Sequence, residues 1–243
     1  MTYADAMEPG WGKVEPFTLP TGSHFRPPPP PRVGSAIYVR DYQEIFPLGS
    51  VLSTTRSPQQ TEVARFWTIP AAQLWNQLVR QLTMERGMSA AAAARAYLLL
   101  NVAGADAMIA AWEAKFAYNQ WRPVNAIRST VDDGTAATST DTSWMPLLET
   151  PPFPDYPAGH TAYAGAAAHV LTAVFGAAPG PLAITSAALP GVTHRYAGFD
   201  EISEAVVNAR VWAGVHWRTS SVAGRDLGRA VGAHVLTHAP VPR

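Results

Sequence analysis

Apolar positions recur every three or four residues through most of this chain, and that spacing predicts helices rather than strands. Within residues 71–86, Leu74, Leu78 and Leu82 share one face, and residues 59–67 carry a shorter stretch of the same kind ending on Phe66. Ser89 precedes an Ala-rich helix that runs to about Tyr118, the longest element predicted. Pro123 disfavours helical geometry at Arg122 and opens a short helix to residue 128. Pro157 opens another helix, to about Phe175. After a Pro/Gly break and an apolar turn of helix, residues 201–215 and 220–238 read as two closing helices. No alternating strand pattern competes, so the expected class is all-α, a helical bundle.

Two stretches lie outside this pattern. Residues 1–40 form an extended arm whose Pro27–Pro31 run is a polyproline II segment that cannot be helical. The helical domain is expected over residues 41–243. Residues 131–154, dense in Asp, Thr, Ser, Gly and Pro, have no period and read as a long loop of the sort tied to function.

The 243 residues suit one sizeable core, and 18 basic against 18 acidic side chains argue against nucleic acid or an anionic membrane as partner. No Cys is present, which excludes disulfides, thiolate catalysis and Cys-ligated metal. The first ten residues carry Glu8 and lack a basic segment leading into an apolar one, so no secretory signal is expected there. The most apolar window, residues 89–112, is interrupted by Arg95, Asn101 and Asp106, which suits a core helix better than a membrane span. The expectation is a soluble protein, its compartment open.

Against this balanced background, cations gathered at one point become informative. Asp155-Tyr156-Pro157-Ala158-Gly159-His160 reads as a turn into a helix N-terminus, whose bare N–H groups and positive dipole end attract an oxoanion over Gly159. Lys115 and Arg122, seven apart, share a side if the long helix holds nearly to Arg122. Arg210 and His216, six apart, do not share a face, but a bend at Gly214 brings them together. Taken singly, each has an ordinary reading: a Lys or Arg near a helix end is usually solvated, and a first-turn His is usually a surface or capping residue.

The ordered set Lys115, Arg122-Pro123, Pro157-Ala158-Gly159-His160, Arg210 and His216 resembles the signature of vanadium-dependent haloperoxidases and the related type 2 phosphatidic acid phosphatases. Thr193-His194-Arg195-Tyr196 and Gly214-Val215-His216-Trp217-Arg218 look like the bacterial haloperoxidase branch. The resemblance implies a helical bundle that binds vanadate. His216 would be the axial ligand; Lys115, Arg122, Arg210 and the Gly159 N–H would neutralise the oxygens. His160 would be the acid/base that helps deprotonate hydrogen peroxide, and the metal a Lewis acid that lets a halide be oxidised to hypohalous acid for an organic acceptor. Trp112 and Phe153 resemble the pair lining the halide side in fungal chloroperoxidase, although core packing is the ordinary reading of both.

The chain departs from the family at two places. Ala158 stands where Ser is common, which removes a hydroxyl donor to the oxoanion, and Ser220 stands where Asp usually orients the axial histidine. Relatives are also usually longer, the resemblance covering only their C-terminal half, which suggests either a homo-oligomer or a missing N-terminal half. A phosphohydrolase with His216 as nucleophile and a non-catalytic remnant are the competing readings; the missing carboxylate counts modestly against hydrolysis.

Overall fold

In the computed structural model, residues 6–177 and 179–240 are described. The first five residues of the expected arm and the last three of the expected domain lie outside them. The helices are α1 (Ala36–Gly49), α2 (Pro58–Phe66), α3 (Ala71–Glu85), α4 (Ala90–Tyr118), α5 (Pro123–Ile127), α6 (Gly159–Phe175), α7 (Phe199–Trp212) and α8 (Arg218–His238). Between α6 and α7, β1 (Leu182–Ser186) and β2 (Leu189–Tyr196) pair antiparallel, with Leu182 opposite Tyr196 and Thr185 opposite Thr193.

This hairpin replaces the turn of helix expected there. Leu182, Ile184 and Ser186 alternate inward, but over only five residues, too short a signal to read beside the Pro and Gly of β2. Helix α1 was not expected either. Ser35 caps it by accepting from the Tyr38 N–H, and Tyr38, Tyr42 and Ile45 form its buried stripe despite Pro47. Helix α6 starts at Gly159, with Ala158 as N-cap, two residues after the expected Pro157 start. Helix α7 starts earlier and stops sooner than expected, and α8 begins at Arg218.

The centre of the bundle is α4, α6 and α8, and its tightest seam is backbone against backbone. A Cβ added to Gly224, Gly228 or Gly232 of α8 would lie 2.3, 1.9 or 3.0 Å from the carbonyl oxygen of Ala158, Ala162 or Ala166 of α6. Glycines four apart on one helix thus track small residues four apart on the other. This seam fixes the start of α6 beside the start of α8.

The arm lies along α4 and α8. Asp106, the acid interrupting the apolar window, is fully buried because it accepts from the Phe17 and Thr18 N–H groups and the Thr18 hydroxyl at 2.6–2.9 Å. Tyr118 and Tyr156 donate to the carbonyls of Pro27 and Pro28. Leu19 of the arm joins Leu99, Val102 and Val231 in one core cluster, so α4 is largely covered and keeps Leu98 as its exposed large apolar residue. Among the described residues, no helix is long and apolar enough to cross a membrane.

Candidate functional site

The predicted residues meet at one buried point, although not all by the route expected. Helix α4 ends at Tyr118, and Asn119 turns the chain in the left-handed region at φ 50°. Arg122 therefore reaches Lys115 not along a shared helical face but across this turn, as the N-cap of α5. Its Nε donates to the Phe153 carbonyl (2.8 Å) and its Nη1 to the Val215 carbonyl (2.6 Å), tying the turn to the long loop and to the end of α7. Gly214, at φ +76°, makes the expected bend after α7, and a Cβ there would strike the Gly49 carbonyl oxygen at 2.4 Å. The bend brings His216 to within 2.9 Å of Arg122, Nε2 to Nη1.

Lys115, Arg122, Arg210 and His216 are all at most 4 % exposed, whereas His160, in the first turn of α6, is partly exposed. Lys115 Nζ donates to the carbonyls of Pro154 and Asp155 at 2.8 and 2.9 Å. Trp112 and Phe153 face one another with ring centroids 4.9 Å apart. Lys115 and Arg122 lie over the Phe153 ring at 5.0 and 4.7 Å, so the two aromatic residues form one wall of the cationic cluster. A Cβ on Gly159 would come within 2.9 Å of the Trp112 ring and 3.4 Å of Met108 Cε, so only glycine leaves the α6 N-terminus open beside that wall.

The long loop also supplies a residue to which the sequence assigned no role. Asp155 is fully buried, with Oδ1 2.9 Å from His216 Nδ1 and 3.9 Å from Arg122 Nη1. Ser220, where the orienting carboxylate was missed, donates to the Asp155 carbonyl at 3.0 Å and stands 3.5 Å from His216 Nδ1. The carboxylate is thus present, delivered from another segment. A legible signal existed: an acid directly ahead of Tyr156-Pro157-Ala158-Gly159-His160, in an otherwise apolar stretch.

Burial and mutual repulsion strain this cluster. Lys115 is pushed well below the usual lysine range, first by burial and then by Arg122, with Asp155 opposing. Burial lowers Arg122 and Arg210 to about 10. His160 and His216 are held well below the histidine value by burial and by the three cations. Burial raises Asp155 to about 6 against the pull of Arg122 and Lys115. Three cationic side chains thus surround one carboxylate, and Arg122 Nη2 and Arg210 Nε are buried without a hydrogen-bond partner among the described residues. Donors left this way are costly, and an oxoanion satisfies them and offsets the repulsion. The donor set fits vanadate or phosphate.

Residues 95–241 match the family model described as the VCPO second helical-bundle domain. The chain belongs to this family. It is 25 % identical to the vanadium chloroperoxidase of Curvularia inaequalis over 93 % of its own length and 48 % of that protein's. Among solved structures, a bacterial vanadium-dependent iodoperoxidase superposes with a TM-score of 0.84 at 29 % identity, covering 99 % of this chain and 59 % of that one. A bacterial vanadium-dependent chloroperoxidase in its holo form gives 0.72 at 18 % identity, covering 95 % and 54 %, which speaks for the fold alone. The VCPO-family chain therefore spans about half the length of the relatives it matches, and its helical-bundle class is theirs.

Proposed function

We propose that the cluster binds vanadate and supports peroxide-dependent oxidation of a halide to hypohalous acid. The observation carrying this is the convergence of Lys115, Arg122, Arg210, His160 and His216 at the α6 N-terminus, with arginine donors left unpartnered. Lys115, Arg122, Arg210 and the Gly159 N–H would hold the oxygens, and His216 Nε2 would be the ligand to the metal. When bound, vanadate supplies Lewis-acid activation of hydrogen peroxide without changing its own oxidation state.

The chain's own residues do the rest. His160, neutral because burial and the cations hold its pKa down, is ready to accept a proton from incoming peroxide and return it to departing water. Trp112 and Phe153 exclude water from one side, which suits a weakly hydrated halide near Lys115 and Arg122. The balance is peroxide, halide and one proton in, hypohalous acid and water out, with a small organic molecule as final acceptor. Protein incubated with orthovanadate, peroxide and bromide should halogenate a reporter dione, and His216→Ala should not; equal rates in both would end the proposal.

The phosphohydrolase reading keeps one specific support. Asp155 beside His216 could serve a nucleophilic histidine as well as a metal ligand, so the lack of Asp at position 220 no longer weighs against hydrolysis. Vanadate-inhibited release of phosphate from a simple monoester, with no halogenation, would favour it. Calorimetry showing neither vanadate nor phosphate binding in a cooperatively melting protein would instead indicate a non-catalytic remnant.

A further inference from the structure

We propose that Asp155 is the residue that positions His216 for metal ligation, taking over from the long loop the part that position 220 of α8 does not fill. The claim about the imidazole stands on geometry alone; its use for ligation rests on the function proposed above.

One contact fixes the tautomer, and the position of Asp155 agrees with it. Arginine can only donate, so the 2.9 Å contact between Arg122 Nη1 and His216 Nε2 requires a bare lone pair on Nε2. The ring proton is then on Nδ1, 2.9 Å from Asp155 Oδ1, and both oxygens of that carboxylate are buried without a hydrogen bond from any other group among the described residues. The ring is then a neutral Nδ1–H imidazole whose Nε2 faces the cationic cluster and whose Nδ1 faces the Asp155 carboxylate. Ser220 does not substitute, since its neutral hydroxyl stands 3.5 Å from Nδ1 against 2.9 Å for the Asp155 carboxylate and carries no charge to raise the basicity of the ring.

Asp155 is itself clamped. Its N–H donates to the Gln120 carbonyl at 3.0 Å, and its own carbonyl accepts from Lys115 at 2.9 Å and Ser220 at 3.0 Å. The backbone of one residue is thus held by α4, by the turn after it and by α8, while the carboxylate addresses His216. A carboxylate on Nδ1–H both orients the ring and raises the basicity of Nε2.

The competing role for Asp155 is plain charge balance against the cations, and the two roles predict opposite signs. Removing a negative charge beside an anion site strengthens attraction for any anion, whereas removing the positioning group weakens only the bond that needs His216. Vanadate and inorganic phosphate separate these cases, because phosphate is held by the cations without ligation. In Asp155→Ala, vanadate affinity measured by calorimetry should fall about 10- to 100-fold, with phosphate affinity unchanged or higher. The double variant Asp155→Ala/Ser220→Asp, which returns a carboxylate from the hydroxyl position 3.5 Å from Nδ1, should recover most of the loss. In the ligand-free protein, ring ¹⁵N resonances assigned with His216→Gln should show the Nδ1–H tautomer in wild type and lose it in Asp155→Ala.

Vanadate affinity that stays level or rises in Asp155→Ala overturns the proposal, as does a loss that phosphate shares and Ser220→Asp does not restore. Should the alanine variant fail to fold, Asp155→Leu, of similar size and unable to accept from Nδ1, should shift affinity in the same direction; an unchanged value there overturns it equally. If wild type binds phosphate but not vanadate, the haloperoxidase reading fails, and the ring tautomer alone then decides whether Asp155 positions His216.

Discussion

Returning a hydroxyl to the start of α6 is the sharpest probe of where the oxoanion sits. Ala158 is the N-cap, with φ −73° and ψ 125°, and makes no side-chain cap. It is fully buried, and its carbonyl already accepts from the Ala162 N–H and the Thr161 hydroxyl, while its N–H donates to the Ser220 carbonyl at 3.1 Å. In Ala158→Ser the new oxygen can accept from a first-turn N–H, a cap that contributes about 0.5–2 kcal/mol. Its hydrogen remains free to donate to an anion over Gly159, and such a bond to a charged group contributes about 1.5–3 kcal/mol, roughly a 10- to 150-fold gain in affinity. Two measurements separate the effects. Thermal unfolding without ligand reads the cap, expected to raise Tm by about 2–4 °C per kcal/mol for a chain of this size. Calorimetry with orthovanadate reads the donor. A higher Tm with unchanged or weaker vanadate binding would refute the placement of the oxoanion at this helix end, while leaving the cap intact.

The same reasoning extends to stability. Arg210→Met removes a buried cation whose Nε has no partner among the described residues, so it should stabilise the ligand-free protein by about 1–4 kcal/mol at most, read as a higher Tm, while sharply weakening vanadate binding; a lower Tm contradicts the strained-cluster account. Gly228→Ala places a Cβ 1.9 Å from a backbone oxygen that has no rotamer to yield, so urea denaturation should show a loss on the order of 3 kcal/mol. The pH dependence follows from the two histidines. Both are held down in the folded chain, so their contribution is complete above about pH 6.5 and is lost as pH falls, because the unfolded chain takes up protons first. Asp155, raised to about 6, acts oppositely and returns part of the loss at lower pH. The urea midpoint of ligand-free protein should therefore fall from pH 7.5 to 6 and go on falling below, less steeply than the two histidines alone would give because one carboxyl opposes them; a rise over that window would contradict the shifts.

Helices with a strong period or a clear cap were legible. Leu74, Leu78 and Leu82 announce α3, and Ser89 marks the start of α4 to the residue. Helix α1 was hidden because Pro47 sits inside it and its buried face is built from tyrosines, which tolerate many settings. The hairpin was hidden by its brevity. For the site, spacing and family likeness named the residues that cluster, yet the reason Lys115 and Arg122 meet is tertiary: Asn119 breaks the helix, and the Phe153 and Val215 carbonyls catch the arginine. Asp155 illustrates the larger limit. Local reading looked for a carboxylate one turn after His216, whereas the fold supplies it from a residue 61 positions earlier, and no period or spacing encodes such a contact.

The glycine seam between α6 and α8 also sets how this site can diversify. With main chain resting on main chain from Ala158–Gly224 to Ala166–Gly232, the start of α6, which carries His160, and the start of α8, which follows His216, behave as one welded frame with no slack to absorb substitutions. Changes in donors and acidity are then easiest to accommodate at the joints around that frame, where the Ala158 N–H meets the Ser220 carbonyl and Asp155 reaches to the Ser220 hydroxyl.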